Sequence, residues 1–250
     1  MRIRETITIS GVGGAAEHIL DLLSSAYPFE VSGSSLLLHK DYSPGVFEDV
    51  EERLKAARVQ PRLFHSIFPE FDDADYADAP LLNVAFPDVS IGGEVFVVRC
   101  PACGTRRTER ECCRQVRRVN SNAQLASVNG AVEILSYSAL DALLRAGLSG
   151  LEARPFDAQG RFSYLAARTE LGELVIRPDE TRGYRGRCTG CGGPLFDVHF
   201  GPFRFLQRCW SGDDFVWAEF IDHVVVSQAA YAELLRLEAG VMRLSPVLLE

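Results

Sequence analysis

The sequence predicts an α+β protein in two parts. Residues 1–91 read as a small β-α-β-α-β layered domain, and residues 92–250 as a mixed α+β domain organised around two cysteine pairs. Three observations carry this. Apolar residues recur first at period two and then at helical spacing through about the first 70 residues. Two Cys-x-x-Cys-Gly stretches stand far apart in the second part. Two strand-helix-strand stretches follow those knuckles or lie between them.

The first strand is "IRETITIS", where Ile3, Ile7 and Ile9 alternate with Thr6, Thr8 and Ser10. "GGAAEHILDLLSSA" follows as a helix with Ile19, Leu22 and Leu23 on one side, and "FEVSGSSLLLHK" as one or two strands. Asp41 and Ser43 are candidate N-caps of a second helix, Pro44 fits its first turn, and Val46, Phe47, Val50, Leu54 and Ala57 recur until Pro61. "RLFHSIF" closes the pattern as a strand. The acidic "EFDDADYADAP" reads as a surface linker or edge. "LLNVAFPDV" and "GGEVFVVRC" are strands that lead into the first cysteine pair, with a boundary near Gly92.

"GAVEILSYSALDALLRAGLSGLEARPF" reads as strand, helix and strand, with Ser138 three residues before Asp141 and Gly147 as the stop. "HVVVSQAAYAELLRLEAGVMRLSPV" has the same grammar, with its strand ending at Ser227. Either the two stretches are halves of a repeat or they are unrelated units, because the offset from the serine to Leu-Leu-Arg differs between them.

A chain of 250 residues, 47% hydrophobic, buries a core without staples. No basic start is followed by an apolar core and cleavage site, and no apolar run approaches the roughly 20 residues of a membrane span. The cytoplasm is the expected compartment. Seven cysteines, four of them in Cys-x-x-Cys units, suit thiolates on a metal better than a disulfide framework. A net charge of -8 argues against general nucleic-acid binding, which depends on Lys and Arg neutralising phosphates.

Cys100 and Cys103 form "CPACG", and Cys188 and Cys191 form "CTGCG". Two residues between thiolates let both sulfurs bend toward one point, and the following glycine admits a left-handed turn. Two such knuckles face to face supply the four thiolates of one structural zinc ion in a split zinc ribbon. The 84 residues between Cys103 and Cys188 exceed the usual ribbon spacing. An insertion over about 119–180, whose ends return together, accounts for them at a slowly growing cost in closure entropy. The alternatives are a site made by the first knuckle with Cys112 or Cys113, and no metal. Four thiolates leave no open position for water, so such a zinc is structural rather than hydrolytic. Cys112, Cys113 and Cys209 are then spare buried thiols.

"GVGGAA", from Gly11 to Ala16, fits a dinucleotide-binding fingerprint in form. The simpler reading is a glycine turn opening a helix. Seven arginines fall between Arg99 and Arg118, and Arg182, Arg185 and Arg187 precede the second knuckle. Arg106, Arg107, Arg117 and Arg118 are candidates for gripping a partner, either nucleic acid or an acidic protein surface. A solvated face paired with the chain's own acids is the plainer alternative. Trp210 and Trp217 flank the polar turn "SGDD" and are candidates for a partner surface or for strand packing. The histidines His18, His39, His65, His199 and His223 form no pair with a nucleophile.

Cys100, Cys103, Gly104, Cys188, Cys191 and Gly192, with the serine-helix-strand endings at 138–156 and 227–247, resemble the double-CXXCG motif proteins of myxobacteria. The resemblance spans roughly residues 90–250. It implies a non-enzymatic immunity protein that neutralises a cognate toxin exchanged between swarming cells. The first 90 residues depart from that family, in which the first knuckle comes near the N-terminus. A zinc-ribbon regulator that binds nucleic acid is the alternative function.

Overall fold

The computed structural model describes residues 1–89, 91–92, 97–104, 106–108, 118–119, 122–128, 132–218, 221 and 223–250. The chain is α+β and divides into two compact units. Met1–Asp72 with Val198–Gly201 forms one, and Asp73–Asp197 with Pro202–Glu250 the other. The division falls at Asp72 rather than near Gly92. The physical reason is that Leu81–Ala85, expected to close the first part, is the central strand of a sheet in the second unit.

The first unit runs β1 (Arg2–Ser10), α1 (Ala16–Ser24), β2 (Glu30–Ser32), β3 (Ser35–Asp41), α2 (Val46–Ala56) and β4 (Arg62–Glu70). Its sheet has the order β2-β3-β1-β4, every pair antiparallel. One face carries Ile7, Ile9, Leu36 and Leu38, all fully buried beneath Ile19 and Leu23 of α1 and Val46, Val50 and Leu54 of α2. Each such side chain contributes about 1.5–3 kcal/mol on burial. The i, i+4, i+8 spacing in α2 puts its three residues on one stripe, while the Asp49–Arg53 and Glu51–Lys55 pairs lie on its wet side.

Two local expectations are corrected. Helix α2 has no side-chain cap, because Gly45 at φ 88° turns the chain into it. Asp41 stays in β3 and pairs with Arg4 at 2.7 Å, while the Ser43 N–H donates to Glu5. The helix stops at Arg58, a non-glycine residue at φ 58°, where Val59 N–H closes back on Leu54 C=O at 2.9 Å.

The second unit begins with α3 (Asp73–Ala77), so the acidic stretch is partly helical. Next come β5 (Leu81–Ala85), β6 (Asp88–Val89), β7 (Ile91–Gly92), β8 (Val97–Arg99), β9 (Arg106–Thr108) and β10 (Arg118–Val119). The chain continues through β11 (Leu125–Val128), β12 (Val132–Ser136), α4 (Tyr137–Arg145), β13 (Leu151–Pro155) and β14 (Phe162–Ala167). It ends with β15 (Thr181–Arg182), β16 (Val198–His199), β17 (Phe203–Phe205), β18 (Phe215–Ala218), β19 (His223–Ser227), α5 (Gln228–Leu237) and β20 (Met242–Leu249). Of these, β16 is counted with the first unit.

Two five-stranded sheets dominate, ordered β13-β14-β12-β11-β6 and β17-β20-β5-β19-β18. Each contains a hairpin, a helix and a returning strand. In the first sheet β14 fills the gap between β12 and β13, and in the second β5 fills the gap between β19 and β20. The filling strand follows the helix in one case and precedes it by well over a hundred residues in the other.

The helices start alike. Ser136 is the N-cap of α4 and Ser227 that of α5, each accepting from the N–H three residues on at 3.1 Å. The cap is therefore Ser136 and not Ser138. With that correction the offset disappears, since both read Ser-x-x-Ala-x-x-x-Leu-Leu-Arg, from Ser136 to Arg145 and from Ser227 to Arg236. Ala139, Leu140 and Leu143 of α4 share one core with Ala230 and Leu234 of α5, beside Leu82, Val84, Leu135 and Val226 from the sheets.

Candidate metal centre

Both knuckles sit at the tips of antiparallel hairpins. The first, Cys100–Gly104, connects β8 to β9, with Arg99 opposite Arg106. The second is held by Arg187 opposite Pro194, by Arg185 N–H on Leu195 C=O and by Leu195 N–H on Gly186 C=O, both at 2.8 Å. The turns are copies of one another. Gly104 N–H donates to Cys100 C=O at 2.7 Å with Gly104 at φ 74°, and Gly192 N–H donates to Cys188 C=O at 2.8 Å with Gly192 at φ 72°. An L side chain at either glycine is strained by about 1–2 kcal/mol.

The turns bring the four sulfurs together. Cys100 and Cys188 lie 3.8 Å apart, Cys103 and Cys191 3.7 Å apart, and all four ligand atoms fall within 4.8 Å of one another. Cys100 and Cys188 are buried, Cys103 and Cys191 half-buried. The four therefore form a group able to hold a metal ion, as their spacing in the sequence predicts. Between the knuckles the chain passes through β11, β12, α4, β13 and β14, all within the second unit.

Crowding disfavours ionisation at Cys191. A Gly193 N–H favours the Cys191 thiolate, but burial and the thiols of Cys103, Cys188 and Cys100 outweigh it and push this thiol up to about 11. Sulfurs at these separations do not all ionise unless a positive charge lies among them.

Two supporting residues are not evident from the spacing of the cysteines. Gly190, inside the second knuckle, faces Ala102 inside the first. A Cβ on Gly190 would lie 3.0 Å from the Ala102 methyl and 3.3 Å from the Cys100 sulfur. Arg187 holds the second turn from outside, donating to Gly192 C=O at 3.2 Å and to Leu174 C=O at 3.3 Å. The signal for the first was the glycine in "CTGCG" where "CPACG" has alanine. A cleft of about 440 Å³ opens beside Cys191, lined in part by Leu171, Leu174 and Pro194, and its Glu173 and Arg187 face each other at 3.4 Å.

The remaining candidates are scattered. Arg106 and Arg107 lie in β9 and Arg118 in β10, while Arg117, Cys112 and Cys113 lie outside the described residues. Arg185 pairs with Asp197 at 3.0 Å and Arg187 with Glu173, so these two arginines before the second knuckle have acids of this chain beside them. The Trp210 indole N–H donates to Asp213 C=O at 3.0 Å, and both Trp210 and Trp217 pack half-buried against core clusters. Cys209 is half-buried with its sulfur against Gly172.

Among the histidines, His39 meets Thr6, His65 stacks on Phe47, and His223 meets Glu133 at 2.8 Å. The Gly11–Ala16 turn does join a strand to a helix, but β1 has antiparallel neighbours on both sides. The parallel β-α-β unit in which such a turn cradles a pyrophosphate is missing there.

No helix among the described residues is long and apolar enough to cross a membrane. No family model, curated protein or solved structure matches this chain.

Proposed function

We propose that the chain is a non-enzymatic, protein-binding protein of the cytoplasm, held together by one structural zinc ion, and that it acts as an immunity protein neutralising a cognate bacterial toxin. The observation that carries the metal half of this reading is the four-sulfur cluster. Zinc–sulfur bonds of about 2.3 Å in a tetrahedron set the sulfurs about 3.8 Å apart. The two cross-knuckle separations, 3.8 and 3.7 Å, fit that spacing.

Cys100, Cys103, Cys188 and Cys191 would hold the ion, and its bonds would tie the two hairpins into one folded element. With four thiolates it presents no site to water or substrate, which supports a scaffold role. The immunity half rests on the resemblance of the double Cys-x-x-Cys-Gly pattern and the two serine-helix-strand stretches to the myxobacterial double-CXXCG family. The chain's acidic balance suits a basic toxin surface.

Co-expression tests the function. Cells producing the toxin encoded beside this gene should survive when this chain is made, and should still die when the chain is offered against unrelated toxins. Equal killing with and without the chain would refute the reading.

A further inference from the structure

Strand β4 is the outer strand of the first unit's sheet. Its register shows which backbone groups it directs outward. Ile3 C=O accepts from Tyr42 N–H at 2.8 Å on the β3 side, so the odd residues of β1 address β3 and the even ones address β4. The unbroken β1–β4 register pairs those even residues with Arg62, Phe64, Ser66, Phe68 and Glu70. Leu63, His65 and Ile67 therefore turn their N–H and C=O groups away from β1.

The side chains of Arg62, Phe64, Ser66, Phe68 and Glu70 all point to the open face and are exposed. Phe64 is 55% and Phe68 43% exposed, beside polar cross-strand neighbours Thr8 and Arg4. Long edge strands are usually blunted by charge, proline or a bulge, and an apolar one is a template for pairing. Here the blunting is confined to the ends, at Arg62, Pro69 and Glu70.

Those ends are complementary to each other. We propose that β4 pairs antiparallel with β4 of a second copy of this chain about a two-fold axis at Ser66. Arg62 then faces Glu70 of the second copy, Phe64 faces Phe68, and Ser66 faces its own equivalent. These are the non-hydrogen-bonded positions, where opposite Cα atoms come within about 4.5 Å and side chains touch most closely. His65 and Ile67 occupy the hydrogen-bonded positions, with His65 keeping its ring on Phe47 inside each copy. Leu63 N–H meets Pro69 C=O, so the proline removes only a terminal bond. The seam joins two four-stranded sheets into one of eight strands, with two aromatic pairs at its middle and an ion pair at each end.

This proposal is independent of the metal centre. Sedimentation equilibrium of the full chain over a range of concentrations should show a monomer–dimer equilibrium. Arg62→Glu and Glu70→Arg should each raise the dissociation constant about tenfold, and the two together should restore it. Glu70 also lies 3.7 Å from Arg4, so circular dichroism should first establish that each variant keeps its fold. Phe64→Lys, at an exposed site, should abolish the dimer while leaving the monomer folded. A monomer at every concentration would overturn the proposal. So would a dimer that Phe64→Lys leaves intact, or a double reversal as weak as the single ones. Zinc content measured on the same samples keeps this outcome separate from the fate of the metal reading.

Discussion

The two knuckles have the same turn and different surroundings. Each contributes one buried and one half-buried sulfur, and each closes on a left-handed glycine, Gly104 or Gly192. The first leaves a two-stranded hairpin and carries a methyl at Ala102. The second is clamped by Arg187 and carries no side chain at Gly190, where that methyl approaches. The requirement for ligands is thus symmetric, while the packing between the turns admits one methyl only. Among the described residues the four sulfurs form one group.

The largest effect should follow loss of any ligand. Cys100→Ser and Cys188→Ser should abolish zinc retention equally, since structural zinc contributes on the order of 10–16 kcal/mol in small domains. Retention by one variant only, measured by elemental analysis after dialysis, would break the symmetry. Next comes the methyl. Gly190→Ala overpacks the contact at a cost of about 1–3 kcal/mol, and Ala102→Gly in the same chain should recover most of it. A competition titration against a chelator would measure both; without recovery, the two turns do not meet as described.

Gly104→Ala and Gly192→Ala should each cost about 1–2 kcal/mol, through the same left-handed strain. Arg187→Ala should cost about 1 kcal/mol and loosen only the second turn, because its half-exposed guanidinium holds Gly192 and Leu174 through carbonyl bonds. Faster backbone hydrogen exchange at residues 188–193, with none at 100–104, would report that. A final contrast concerns pH. The metal-free fold keeps the Cys191 proton more tightly than the unfolded chain, with the thiol up from 9.0 to about 11. That stabilisation is present below pH 9 and fades as pH rises through 11. Metal loading displaces the same proton, so affinity should fall as the solution is acidified.

What the sequence disclosed and what it hid follow from the range of each interaction. Periodicity marked β1, α1, α2 and β4, because alternate or i, i+4 burial is written locally. The cysteine cluster was legible for the same reason, since a Cys-x-x-Cys-Gly turn is a local geometry whose partner needs only to match it. Strand pairing is not local. β5 reads as one more strand near the first unit, yet it lies between β19 and β20, and only that long-range contact moves the boundary to Asp72.

The repeat was obscured by two serines close together. Ser138 has an acid three residues on, but Ser136 is the residue whose extended backbone ends a strand and lets its hydroxyl reach Ala139. Likewise Asp41 looked free to cap α2 until Arg4 on the neighbouring strand claimed it. The facing of Ala102 and Gly190 could be read only once the knuckles were seen together.

If two hairpins distant in sequence close on one metal through four thiolates, its coordination shell should show it. X-ray absorption at the zinc edge of the purified chain tests it most directly. One zinc per chain, with four sulfurs at about 2.3 Å and no nitrogen or oxygen neighbour, is the expected result. A first shell of two sulfurs with lighter atoms, or a chain that holds no metal, would contradict it.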